Sequence, residues 1–188
     1  MQLNHQEIGI GIIGCGRMGN LRASISETNS SIKYIGVSDR DPKKADKLGK
    51  RIRASKISQD NSEIINDDNI HAVIVSTSEP EHFKPVMSAL ERGKPVLVEK
   101  PIALSIDDAK KMVECAEKNN TTLHIGYTLR FNRHYLVGKQ QIVENKIGDI
   151  LSCVGRFNNT QRTGAEILKR SKHISFVNDA LTYLVDLF

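Results

Sequence analysis

The stretch Ile8-Gly9-Ile10-Gly11-Ile12-Ile13-Gly14-Cys15-Gly16-Arg17-Met18-Gly19 decides the fold of this 188-residue chain. Its first half is a β-branched run without a charge, of the kind a strand carries when both of its faces are covered. Its second half is G-x-G-x-x-G. There the missing side chains let a tight turn form, and the N–H groups of the following helix stay open to an anion. The hexapeptide alone is a weak signal, and its surroundings strengthen it. A second run ends at Gly36-Val37-Ser38-Asp39, which puts Asp39 about twenty residues past Gly19. A carboxylate at that distance can accept from both hydroxyls of an adenosine ribose. Strand, turn, helix and acid together predict a dinucleotide site built from Gly14, Gly16, Arg17, Met18, Gly19 and Asp39. The Asp39 carboxylate repels a 2′-phosphate and so favours NAD. Arg40 beside it can stack on adenine or pair with that phosphate, which leaves NADP open.

Outward from this stretch, apolar runs alternate with helical patterns. The runs are Ile8–Ile13, Ile32–Val37, Ala72–Val75, Val96–Val98 and Thr122–Ile125, and the helical segments are Asn20–Glu27, Pro42–Lys50, Phe83–Arg92 and Ile106–Lys118. Ser105, followed three residues later by Asp108 and then by Ala109, Met112, Val113 and Ala116, predicts a capped amphipathic helix. The order is that of a doubly wound α/β domain with a parallel sheet, a Rossmann fold of five strands over residues 1–125.

Composition narrows the alternatives. Counting glycine in place of tyrosine lifts the apolar share from 39% to about 44%, close to that of globular domains. No apolar run approaches the ~18–20 residues of a membrane span. The net charge of +5 comes from basic residues interleaved with acids, and aromatics make up only 5%, so no nucleic-acid surface is expected. Cys15, Cys115 and Cys153 are odd in number and too widely spaced for a metal site. With no cationic leader before Ile8, they suggest a reducing, cytoplasmic setting.

A further cluster, Val98-Glu99-Lys100-Pro101, falls at the carboxyl end of a predicted strand, where open α/β sheets bind ligands. An ammonium group there can reach a substrate hydroxyl. Together with the glycine turn, this cluster resembles the glucose–fructose oxidoreductase/inositol dehydrogenase (Gfo/Idh/MocA) family of NAD(P)-dependent oxidoreductases. The resemblance rests on Ile10–Gly19, on Val37-Ser38-Asp39-Arg40-Asp41-Pro42, on Ala89–Pro101 and on Gly126-Tyr127-Thr128-Leu129-Arg130-Phe131-Asn132. It implies that Lys100 is the catalytic lysine. It also implies that Ser76, Thr77 and His82 belong to the nicotinamide-side loop, and that Glu99 and Lys100 lie against the cofactor. The family's Pro-Asn pair in that loop is Ser78-Glu79 here. Asp179, Tyr183 and Asp186 fit the spacing of the family's second catalytic element, with Tyr183 in the place of a histidine. Residues four apart share a helix face, so Asp179 and Tyr183 can converge on one ligand.

Residues 126–188 are expected to begin a second, substrate-binding and dimerising α/β domain that this chain holds only in part. Phe131–Lys146 and Asn178–Phe188 read as helices, Ile150–Phe157 as a strand by its alternation, and Gln161–Lys172 as a loop or frayed helix. The implied reaction is hydride transfer between nicotinamide and a secondary alcohol or ketone of a sugar, cyclitol or related polyol. The alternative is a non-catalytic dinucleotide-binding module, or an inactive fragment of such an enzyme. A methyltransferase with a similar glycine turn would have no use for Glu99-Lys100-Pro101. A chain of this length is expected to bind NAD and to turn over polyols poorly or not at all, and its C-terminal segment is expected either to self-associate, making a homo-oligomer, or to be mobile.

Overall fold

The computed structural model describes residues 7–158, 160–170 and 176–188, and of residues 166–170 and 176–179 the backbone alone. The chain divides into two compact units, Met1–Ile125 and Gly126–Phe188.

The first unit runs β1 (Ile8–Ile13), α1 (Arg17–Glu27), β2 (Ile32–Ser38), α2 (Pro42–Arg51), β3 (Lys56–Ser58), α3 (Asn61–Ile65), β4 (Ala72–Val75), α4 (Phe83–Glu91), β5 (Val96–Val98), α5 (Ile106–Lys118) and β6 (Leu123–Ile125). All six strands are parallel, in the order β3-β2-β1-β4-β5-β6. The chain reverses its direction of growth between β1 and β4, and in such a sheet the crevice at the carboxyl ends of those two strands is where ligands bind.

Two cores follow from the period of two along a strand. Ile12 and Ile13 are neighbours and both are fully buried, but they point to opposite faces. Ile12 joins Ala23, Val37, Ala45 and Leu48 under α1 and α2. Ile13 joins Ile64, Val75, Val86, Leu90 and Met112 under α3, α4 and α5. Both faces are covered, so β1 needs apolar residues at successive positions, which is why it reads as a continuous run.

Helix ends follow local chemistry. Asp41 and Asp60 cap α2 and α3 by accepting from the N–H groups of Lys43 and Ser62, and Ser105 caps α5 by accepting from Asp108 N–H. The expected five strands become six. β3 is only Lys56-Ile57-Ser58, an edge strand paired with Gly36–Ser38, and α3 has five residues, so neither is long enough to show a period. Helix α1 begins at Arg17, three residues before its expected start at Asn20, because the glycine turn itself is its amino-terminal cap.

The regular elements described in the second unit are all helical: a short 3-10 turn (Thr128–Phe131), α6 (Arg133–Val143), α7 (Gln161–Arg170) and α8 (Phe176–Leu187). The strand expected at Ile150–Phe157 is absent, and those residues form no regular element. Alternation prepares a strand, but hydrogen bonds to a neighbour make one, and no other strand is present among the described residues of this unit. Gln161–Arg170, expected as a loop or frayed helix, is helical, while residues 171 and 172 lie outside the described residues. Arg130 fastens the 3-10 turn to α8. Its Nε donates to both carboxylate oxygens of Asp186 at 2.7 and 2.8 Å, and its Nη2 donates to the Asp186 carbonyl at 3.3 Å.

Candidate active site

Four segments of the first unit meet at the carboxyl ends of its strands: the glycine turn after β1, Asp39 after β2, Ser76-Thr77 after β4 and Glu99-Lys100 after β5. Gly14 turns the chain with φ +94°, where an added Cβ would stand 2.7 Å from the backbone of Ser76 and Thr77. At Gly19 an added Cβ would meet the Gly14 carbonyl at 1.9 Å, so the absence of a side chain lets α1 close on the turn. Gly16 differs from both, because a Cβ there would meet nothing within 4 Å. Open space therefore lies over the amino terminus of α1, whose cap position offers no side-chain hydrogen bond. Backbone donors facing that space, with the positive end of the helix dipole behind them, suit an anion.

Asp39 ties the turn to β2. Its Oδ2 accepts from Cys15 N–H at 2.8 Å and its Oδ1 from Asp41 N–H at 2.9 Å. A carboxylate has about four acceptor sites, so two backbone bonds leave room for ribose hydroxyls. Beneath it, burial and the nearby Asp39 charge push the Cys15 thiol up to about 12. That thiol donates to the Ser38 carbonyl at 3.5 Å and is an inert packing group. Arg40 is 84% exposed and lies 3.8 Å from Glu81, while Arg17 is exposed and Met18 half-buried at the start of α1.

In the loop after β4 the hydroxyls of Ser76 and Thr77 are buried and have no hydrogen-bond partner among the described residues. Orphaned donors of this kind cost stability unless something else accepts from them. Together with the open space over Gly16, they fit a polar ligand laid along the strand ends. The dinucleotide expected from the sequence is such a ligand.

His82 is not at the surface of this loop. It is 1% exposed, with Nδ1 3.0 Å from the Pro101 carbonyl and Nε2 3.3 Å from the Thr77 carbonyl. With both ring nitrogens facing backbone oxygens, His82 links the two loops. Glu99 is likewise turned inward: its Oε1 accepts from Arg22 Nε of α1 at 2.8 Å, and the Nη2 of the same guanidinium lies 2.7 Å from that oxygen as an ion pair. Arg22 is absent from the expected set, since its partner lies 77 residues away and no local pattern announces it. Lys100 is the second residue after β5, is half-buried, and is joined to Pro101 by a cis peptide.

In the second unit, Tyr183 lies on α8 between two rings. Phe157 stacks on it at 5.7 Å between centroids, and Tyr127 meets it edge-on at 6.0 Å. Burial also pushes the Tyr127 hydroxyl above its ordinary range. Asp186, the last residue of the expected triplet, is 6% exposed in its side chain and is held by Arg130. Asp179 lies within α8, and its side chain is outside the described residues.

Comparison with known proteins agrees with this geometry. A family model described as an oxidoreductase family with an NAD-binding Rossmann fold matches residues 8–127. An uncharacterized oxidoreductase of Streptococcus pneumoniae is 32% identical over 156 residues, which is 83% of this chain and 40% of that protein. A scyllo-inositol 2-dehydrogenase (NAD(+)) of Bacillus subtilis is 28% identical over 90% of this chain and 49% of its own length. The crystal structure of a scyllo-inositol dehydrogenase from Lactobacillus casei, with bound NAD(H) and scyllo-inositol, superposes with a TM-score of 0.82 at 25% identity, covering 96% of this chain and 54% of that one. The chain spans between 40% and 50% of the length of the curated relatives it matches. With its strand order, its glycine turn and the family match over residues 8–127, the chain belongs to the Gfo/Idh/MocA oxidoreductase family, whose fold is an NAD-binding Rossmann fold.

Proposed function

We propose that this chain is the cofactor-binding and lysine-bearing part of an NAD-dependent dehydrogenase, which moves a hydride between nicotinamide and a secondary alcohol or ketone of a cyclitol, sugar or related polyol. One observation carries the reading. Lys100 stands at the carboxyl end of β5, beside β4, and the β1–β4 switch next to it holds the open glycine turn. Inositol and scyllo-inositol dehydrogenases among its relatives support the substrate class.

The backbone N–H groups of Arg17, Met18 and Gly19 bind the pyrophosphate, and Asp39 receives the adenosine ribose and sets NAD above NADP. Ser76 and Thr77 give their orphaned hydroxyls to the cofactor on the nicotinamide side. NAD supplies the hydride acceptor when bound. Lys100 donates to the substrate oxygen and stabilises the alkoxide as negative charge develops there. The resemblance assigns the hydroxyl proton to Tyr183, acting as phenolate, and the orientation of the substrate to Asp179. The buried thiols of Cys15 and Cys115 support a reducing, cytoplasmic setting. Exposed Leu151 and Val154 support association through the second unit.

The test is cyclitol- or polyol-dependent NADH formation by the unmodified protein and by Lys100→Met. Loss of about two orders of magnitude in kcat with NADH affinity unchanged is expected. Equal and measurable turnover in the two proteins would remove Lys100 from the chemistry.

A further inference from the structure

Two attachments, each with a buried partner, flank Lys100. On its amino-terminal side, the buried Glu99 carboxylate takes a hydrogen bond from Arg22 Nε and pairs with its Nη2, and Arg22 belongs to the helix that opens on the glycine turn. On its carboxyl-terminal side, the Pro101 carbonyl faces Nδ1 of His82, and the opposite ring nitrogen faces the Thr77 carbonyl. Neither attachment belongs to the two apolar cores. One runs from the loop after β5 to the helix that follows β1, and the other from the same loop to the loop after β4. These are the segments that carry the pyrophosphate turn and the orphaned hydroxyls.

We infer that Arg22 and His82 are positioning residues, which hold the Lys100 backbone from both sides against the glycine turn and the Ser76-Thr77 loop. The inference rests on the reading of Lys100 as the group that meets the substrate oxygen beside the nicotinamide. Its physical content is placement. Two fixed points one residue to either side of Lys100 leave its side-chain torsions as the main freedom of the ammonium group, and catalysis is sensitive to misplacement on the ångström scale. Removing Arg22 leaves a buried carboxylate without its cation, so Glu99 must move toward water and carry Lys100 with it. Removing the His82 ring leaves the Pro101 and Thr77 carbonyls without a shared partner and separates the two loops.

The experiment is cofactor footprinting of Lys100 in the full chain. Acetic anhydride is applied with and without saturating NADH, and peptide mass spectrometry follows Lys100 against exposed Lys33. In the unmodified protein NADH is expected to slow Lys100 acetylation about tenfold and to leave Lys33 unaffected. Arg22→Met and His82→Gln are expected to keep NADH affinity within about threefold, while protection of Lys100 falls below about twofold. Arg22→Lys keeps the charge without the two-pronged fork, and partial protection is expected from it. Should Arg22→Met or His82→Gln fail to fold, Arg22→Lys and His82→Asn carry the same comparison.

Full protection in the folded variants would overturn the inference and leave the reading of Lys100 intact. Loss of protection only in step with loss of NADH affinity would reduce the attachments to a structural role, and so overturn it as well. Absence of protection in the unmodified protein, with NADH bound, would remove the reading of Lys100 and the inference with it.

Discussion

Ile12 and Ile13 in the first unit, and Leu151 and Val154 in the second, are all apolar residues in segments that read as strands. The first pair is fully buried on opposite faces of a sheet, whereas Leu151 is 96% exposed and Val154 nearly as much. The difference lies in what surrounds them. β1 has β2 and β4 on either side and helices above and below. Residues 150–158 have no strand beside them among the described residues. Ala180 is the one buried apolar side chain among the described residues of the second unit. An apolar pattern is a capacity for burial, and neighbouring elements decide whether it is used.

The comparison breaks most readily at the core. Ile13→Ala removes a fully buried side chain from a packed cluster and is expected to cost about 2–5 kcal/mol in urea unfolding. Val185→Ala, on a largely exposed position of α8, is expected to change stability by less than about 0.5 kcal/mol. Equal losses at the two positions would contradict the contrast between the units.

A smaller effect concerns cofactor choice. Asp39→Ser removes the carboxylate proposed to repel a 2′-phosphate and leaves exposed Arg40 nearby. The ratio of NAD to NADP affinity is expected to move toward NADP by about 1–3 kcal/mol, read by calorimetric titration of both.

Acid sensitivity sharpens the account of the first unit further. Burial alone would raise the Asp67 carboxyl. Hydrogen bonds from Asn69 N–H, the Lys56 ammonium, the Tyr34 hydroxyl and the Asn69 amide outweigh it and hold the group well below the ordinary carboxylate range. A depressed folded-state value means that the stabilisation is complete above the unfolded carboxylate's value, near pH ~4, and is lost as pH falls toward the folded one. The melting temperature of Asp67→Asn should therefore fall less steeply between about pH 4 and 2 than that of the unmodified protein. Parallel slopes would show that these bonds do not stabilise the charged form.

The smallest effect is chemical. Exposed Cys153 is expected to react with iodoacetamide at pH 8, while Cys15, with its thiol pushed up to about 12, and buried Cys115 stay unmodified in the native protein. Mass spectrometry of the alkylated peptides checks it.

What could be read in the sequence was what sequence neighbours determine. The glycine turn, the runs of β1, β2, β4 and β5 and the Ser105 cap all declare themselves within a few residues. β3 and α3 do not, because three and five residues are too few to set a period. The Arg22–Glu99 pair joins residues 77 apart, and the burial of His82 depends on loops after two different strands, so neither leaves a local trace. At 150–157 the error ran the other way, for a local alternation had nothing to pair with. Asp186 fits a catalytic spacing, yet its carboxylate is held by Arg130, a use that the spacing cannot distinguish.

The central claim is that the open space over Gly16 receives the cofactor pyrophosphate. Calorimetric titration of NADH into the full chain and into Gly16→Val tests it most directly, with circular dichroism to establish that both are folded. A Cβ at Gly16 meets nothing in the protein itself, so the variant should fold normally. Its branched side chain should fill the place of the phosphate oxygens and weaken NADH binding by about a hundredfold or more, roughly 3 kcal/mol. Unchanged NADH affinity in a folded Gly16→Val protein would contradict the assignment of that space to the pyrophosphate.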